Sequence, residues 1–148
     1  MASSIRTRLT IDVAGQPIQW SQPFVQTFLT LAQAPAQYDV TIDADSSAVI
    51  WDGTPLGVTF DFIALQSDRD CHVEFVVNGG QVDEYHFTLF LRGGGFPIVV
   101  PGGQSYAGQA GTQSAFTFGT LREITKVNAL NPDVDFPAVV SALVAQTA

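Results

Sequence analysis

"CHVEFVVNGGQVDEYHF", residues 71–87, places the single cysteine, both histidines and three acids (Glu74, Asp83, Glu84) around the pair Gly79-Gly80. The stretch is either a site where reactive groups converge or a β-hairpin whose polar residues face water. Its alternation favours the hairpin, because successive side chains of a strand point to opposite faces. Setting Val73 opposite Phe87, Phe75 opposite Tyr85 and Cys71 opposite Leu89 brings Asn78 to face Val82. A three-residue loop then remains, Gly79-Gly80-Gln81, of the kind in which glycine supplies the left-handed residue. One face collects Cys71, Val73, Phe75, Tyr85, Phe87, Leu89 and Leu91. The other collects His72, Glu74, Val76, Glu84, His86, Thr88 and Arg92. This register sets Glu74 against His86, a favourable cross-strand pair, whereas a slip would set Glu74 against Glu84.

The same geometry argues against a metal or a nucleophile. Zinc takes four clustered ligands, and Cys71 points away from His72 and His86. His72, Glu74 and His86 make three at most, with Thr88 as the neighbour. A Cys-His pair fails for the same reason, since the thiol points into the core. The face reads as a solvated one, and no catalytic, cofactor-binding or metal-ligating residue is assigned to the chain.

Outward from the hairpin, almost every segment repeats with period two. In "SIRTRLTIDVAG" Ile5, Thr7, Leu9, Ile11 and Val13 alternate with Arg6, Arg8, Thr10 and Asp12. Further strands are expected at "IQWSQ", "FVQTFLTL", "YDVTID", "AVIW", "GVTFDFIALQ", "EYHFTLFLR", "FPIVV", "SAFTFG" and "REITKV", punctuated by Gly, Pro, Asn and Asp turns. "GVTFDFIALQ" is apolar on both parities and suits a central strand. Short strands at this spacing, without helical crossovers, predict an all-β fold: an antiparallel β-sandwich, jelly-roll-like. The C-terminal "DFPAVVSALVAQTA" reads equally as one short helix or as a strand. Asp135 is a possible cap, Pro137 suits an early helical position, and Phe136, Val139, Val140, Leu143 and Val144 form a stripe. No linker divides the chain, so residues 1–148 are expected to form one domain, with an N-terminal arm over about 1–8 and a C-terminal segment over 132–148.

Composition narrows the function. Fourteen acids against six bases give a net charge of −8, with Lys126 the one lysine. Nucleic acids and anionic membranes attract basic faces, so neither is an expected partner. One cysteine cannot form an internal disulfide. "MASSIRTRLTIDVAG" has no apolar run of signal-peptide length, and no stretch reaches the ~18 apolar residues of a membrane span. The expectation is a protein made in a cytoplasm.

"LRGGGFPIVVPGGQSYAGQAGTQSAF" lacks the Gly-Lys-Ser/Thr ending of a phosphate loop, and Gly93-Gly94-Gly95 runs into Phe96-Pro97. It reads as a turn, an edge strand bounded by Pro97 and Pro101, and a flexible loop from Gly102 to Gln113. Asp39, Asp43, Asp45, Asp52, Asp68 and Asp70 are the candidates for calcium, but no twelve-residue loop ending in glutamate accompanies them. They read as turn-forming aspartates that bond their own backbone. Trp20, Trp51 or Tyr106 could serve as a stacking platform for a carbohydrate. No Gly-x-Ser-x-Gly elbow occurs, and the expectation is a protein without enzymatic activity.

The stretch "FDFIALQSDRDCHVEFVVNGGQVDEYHFTLFLRGGGFPIVVPGG", residues 60–103, resembles a recurrent pattern in small structural proteins of tailed bacteriophages. Its marks are the Ser67-Asp68-Arg69-Asp70 turn, the hairpin with an Asn-Gly tip, the strand pattern from Phe87 to Val99, and the upstream "AVIWDG". The resemblance covers roughly residues 48–128, and the triple glycine and the long loop after Val100 depart from it. It implies a β-sandwich or jelly-roll virion protein, made in the host cytoplasm, that decorates the capsid or sits in the tail. A decoration (cement) protein would contact the major capsid protein and copies of itself, often as a trimer, through the arm Met1 to Arg8 and the loop Gly102 to Gln113. Few charges and many phenylalanines suit a subunit covered by its neighbours.

Overall fold

A computed structural model describes residues 36–107 and 121–145, together with the backbone of four segments at 3–7, 12–13, 16–17 and 26–31. The N-terminal segments form two ribbons. β1 (Ser3–Thr7) pairs antiparallel with β4 (Gln26–Leu31), and β2 (Asp12–Val13) pairs with β3 (Gln16–Pro17). The expected arm is therefore paired over Ser3–Thr7. The expected strands "IQWSQ" and "SAFTFG", with Trp20, lie outside the described residues.

Eight strands build two sheets. They are β5 (Ala36–Ile42), β6 (Ser46–Asp52), β7 (Phe62–Ser67), β8 (Cys71–Val77), β9 (Tyr85–Leu91), β10 (Ile98–Pro101), β13 (Ile124–Asn131) and β14 (Ala138–Ala145). The short β11 (Tyr106–Ala107) and β12 (Leu121–Arg122) pair with each other. One sheet runs β10-β7-β14-β5 and the other β6-β13-β8-β9, with every neighbour antiparallel. Numbering the eight strands along the chain, the sheets read 6-3-8-1 and 2-7-4-5. That is the order of a jelly roll, a double-sheet fold of two Greek keys. The all-β expectation holds, and its jelly-roll form is the one observed.

Alternation sets the core between the sheets. Ile42, Ile63, Leu65, Val140, Ala142 and Val144 come from one sheet, and Val73, Phe75, Val77, Ile124 and Val127 from the other, all buried. Aromatic rings fill one end. Phe75 stacks on Phe87 at 4.9 Å, Phe87 on Tyr106 at 5.6 Å, and Trp51 meets Phe60 edge-on at 4.8 Å.

Four expectations change in detail. The C-terminal segment is a strand, not a helix: β14 lies between β5 and β7, so both its backbone edges are paired, and its inner row of Ala138, Val140, Ala142 and Val144 is buried. β-branched valines fit that pleated position better than a helix. The hairpin register is displaced by two residues, with Phe75 opposite Phe87, Val73 opposite Leu89 and Glu74 opposite Thr88. A shift of two preserves every face, so the predicted sides hold. The connection is accordingly longer, with Asn78 and Gly80 at positive φ of 54° and 79°. The strand expected from Val58 begins at Phe62, after a 3-10 turn at Thr54–Leu56, although Phe60 is buried. Finally, the loop expected to be flexible from Gly102 is pinned at its start, because the Gly102 and Gly103 amides donate to Asp61 O and Phe60 O. Residues 108–113 of that loop lie outside the described residues.

Candidate functional site on the outer face of one sheet

The polar face predicted for the hairpin is the outer face of the β6-β13-β8-β9 sheet, where pairing aligns side chains in rows across four strands. One row is Ser47, Leu130, His72 and Phe90; the next is Val49, Asn128, Glu74 and Thr88. Then come Asp52, Lys126, Val76 and His86. Between β6 and β8 the surface dips into a depression of about 600 Å3, to which His72, Glu74, Thr88, Asn128, Val49 and Leu130 contribute. A second dip of about 510 Å3 adjoins it, toward the hairpin tip at Gly79-Gly80.

His86 organises this face. Its Nδ1 lies 2.8 Å from Glu74 Oε1 and its Nε2 2.7 Å from Glu84 Oε1. Although Glu74 is not directly opposite His86, the diagonal spacing is within reach of these side chains. The two carboxylates raise the imidazole pKa above its ordinary 6.5, Glu74 contributing most. Glu74 is lowered in turn, by His86 and then by Asn128 Nδ2, which donates at 2.9 Å to its other oxygen. Glu84 is lowered chiefly by the Gly80 amide, then by His86. With both ring nitrogens engaged by carboxylates, His86 serves as a bridge and not as a metal ligand or general base. Among the described residues, no three His, Cys, Asp or Glu side chains form a group that could hold a metal ion.

The other candidates are dispersed. Cys71 is buried on the inner face, its Sγ 3.5 Å from Ser67 Oγ, and burial raises its pKa. A thiol so placed is a poor nucleophile. Asp68 Oδ1 accepts the Val139 amide at 2.7 Å and Asp70 Oδ1 the Gly93 amide at 2.9 Å, tying the Ser67-Asp70 turn to two distant segments. Asp52 caps the Thr54 amide at 2.9 Å, and Asp39 accepts the Ser141 hydroxyl at 2.6 Å. Asp45 sits at a positive φ of 49° and its amide donates to Asp133 O. Asp43 offers its carbonyl to Asn131. Only Asp52 bonds locally as expected of a turn aspartate; Asp68 and Asp70 fasten remote backbone instead. Of the stacking candidates, Trp51 is buried against Phe60, and Tyr106 stacks on Phe87 with its hydroxyl on Pro101 O, its pKa pushed up by burial to about 12.

Sequence reading missed the cluster at the opposite pole. Asn131, fully buried, donates through Nδ2 to Ile42 O, Asp43 O and Phe136 O and accepts the Asp133 amide. Asp133, lowered first by the Asp135 amide and then by that of Phe136, pairs with Arg69 at 3.1 Å, whose guanidinium lies 4.7 Å from the Phe136 ring centroid. "NPD" reads locally as a turn, and nothing within it signals contact with β5.

Compared with known proteins, the chain matches no family model, no curated protein and no solved structure.

Proposed function

We propose that this chain is a non-enzymatic structural subunit of a bacteriophage virion, a capsid decoration protein that seats on the assembled shell and bridges its subunits. The observation that carries the reading is where the chemistry goes and where the apolar surface goes. His86 is spent between two carboxylates and Cys71 is enclosed, while Phe90, Phe96, Val99, Val134 and Phe136 stand exposed on strand edges and loop tips. Exposed apolar side chains backed by a rigid two-sheet core suit a protein whose work is contact. Jelly rolls are a recurrent choice for capsid proteins, which adds an argument by analogy. Its partners are the shell protein and copies of itself, and its net charge of −8 keeps the free subunit soluble before assembly. Binding only the assembled lattice stabilises it by mass action. The test is thermal: virions carrying the protein should melt at higher temperature than virions stripped of it, and equal melting refutes a cementing role. Labelling the protein in intact particles separates head from tail or baseplate.

The depression between β6 and β8 favours a second reading, a carbohydrate-binding module. Glu74, Asn128, His72 and Thr88 offer hydrogen-bonding groups beside Val49 and Leu130. Against it, Trp51 and Tyr106 are committed to the core, leaving no indole or phenol platform there among the described residues. A glycan array read with the labelled protein decides, and silence across it removes this reading.

A further inference from the structure

Among the described residues the sandwich has four edge strands, and three carry a feature that discourages pairing with another chain. β10 is four residues long, preceded by Pro97 and ending at Pro101. β5 has Asp39 at its centre. β6 is bulged where it meets β13, since Val127 pairs with Trp51 and Asn128 with Val49, leaving Ile50 over. β9 has none of these. Tyr85–Leu91 runs seven residues in unbroken register with β8 and contains no proline, glycine, lysine or acid. Two of its apolar side chains are open as well, with Leu89 37% and Phe90 46% exposed.

We propose that β9 is a self-association edge: two copies pair antiparallel through β9 about a two-fold axis at Thr88, joining two four-stranded sheets into one of eight. The sequence of the strand is complementary to itself in that register. Thr88 meets Thr88, Phe87 meets Leu89 of the second copy, and Tyr85 meets its Leu91. On the outer face His86 meets Phe90, an aromatic pair made twice by the symmetry. One step beyond the strand, Glu84 comes opposite Arg92. Arg92 forms no ion pair within the described residues, resting 5.8 Å from the Phe90 ring centroid, so a carboxylate arriving there meets an uncompensated cation. Glu84 has one bond on each oxygen, from His86 and from the Gly80 amide, and each oxygen retains acceptor capacity. Like charges oppose nowhere in this register, which matters for a chain of net charge −8. The inference goes beyond the cementing role and does not depend on it.

The experiment is the solution mass of the intact protein across a dilution series, beside two substitutions and one cross-link. The wild type should show a monomer–dimer equilibrium. Arg92→Glu sets two acid pairs across the axis and should weaken it roughly tenfold or more, and adding Glu84→Arg should restore it. Thr88→Cys should form a disulfide-linked dimer under mild oxidant, whereas Val99→Cys, on the outer face at the β10 edge, should not. A strict monomer at every concentration, a trimer, or a dimer indifferent to Arg92→Glu would overturn the proposal. Should the charge variants unfold, the Thr88→Cys cross-link alone decides, for without a two-fold at Thr88 it forms no faster than at Val99.

Discussion

Asn131 has no neighbour in sequence that betrays its role, yet its amide group is the buried knot between β13, the end of β5 and the 132–137 connection. Replacing it by leucine keeps the branching at Cγ, adds some volume and leaves three carbonyls facing an apolar group. Each buried unmet partner costs about 1–3 kcal/mol, so Asn131→Leu should lose about 3 kcal/mol or more in denaturant unfolding while the slope stays constant. His86 gives a second prediction at this scale, one of sign. Its pKa is raised in the folded chain, so its contribution is whole below its ordinary value of 6.5 and is lost as pH rises through the raised value. Glu74 and Glu84 are lowered, so their contribution is present above their ordinary 4.5 and is lost as pH falls through the lowered values. The bridge is therefore intact between those two ordinary values and loosens as pH rises through the raised value or falls through the lowered ones. Unfolding midpoints at about pH 5.5 and about pH 8.5 should differ in the wild type and converge in His86→Gln; the groups are half exposed, so the difference is small. A titration of the His86 ring by NMR should place its midpoint above that of an unperturbed histidine. The partnership of Glu74 with His86 is legible from alternation, which puts both on one face, whereas that of Asn131 with Ile42 and Asp43 is not, because those carbonyls lie 89 and 88 residues away in sequence.

At the scale of elements, faces were easier to read than registers. Cys71, Val73 and Phe75 fell on the predicted side because the period of two survives any even displacement. The displacement itself came from the hairpin tip, where Asn78 and Gly80 both take positive φ and the Asn78 side chain bonds Asp83, which Arg122 also holds, its Nε 2.6 Å from the carboxylate. No local turn rule includes Arg122. The glycine-rich stretch looks loose in sequence for a similar reason: composition does not show what lies above it. A Cβ on Gly102 would stand 1.7 Å from Phe60 O and 2.5 Å from the Phe60 ring, so this glycine is a place where two backbones touch. Gly102→Ala should therefore cost about 3 kcal/mol or more, read as a lower melting temperature. Ala at Gly95, whose nearest neighbour would be the Arg92 Cβ at 3.1 Å, should cost distinctly less. Equal losses at the two positions would show that Phe60 yields, and that the Gly102 amide, not the crowding, matters.

For the whole molecule the decisive element is the last one. β14 was ambiguous in sequence because Val139, Val140, Leu143 and Val144 lie at spacings that serve a helix stripe and a strand alike, and only its neighbours break the tie. Those neighbours are β5, about a hundred residues earlier, and β7. Strands so far apart must close large loops before their contacts gain anything, which makes jelly rolls slow to fold. It also makes the C-terminus a keystone where an appended helix would have been dispensable. A chain stopped after Pro137 lacks the buried row Ala138, Val140, Ala142 and Val144 and leaves β5 and β7 with open inner edges. That chain should lack the β-sheet circular-dichroism signal and cooperative melting, not merely lose a few degrees. Adding the 138–145 segment as a separate peptide should restore some structure by completing the sheet. A truncated chain that still melted cooperatively would mean that β6-β13-β8-β9 stands alone, and that the second sheet is an accessory. On the keystone view, the proposed contact surfaces form only once residues 138–145 are in place. The outer rows around His86 and the edge of β9 both sit on strands packed against a core to which β14 contributes a full row.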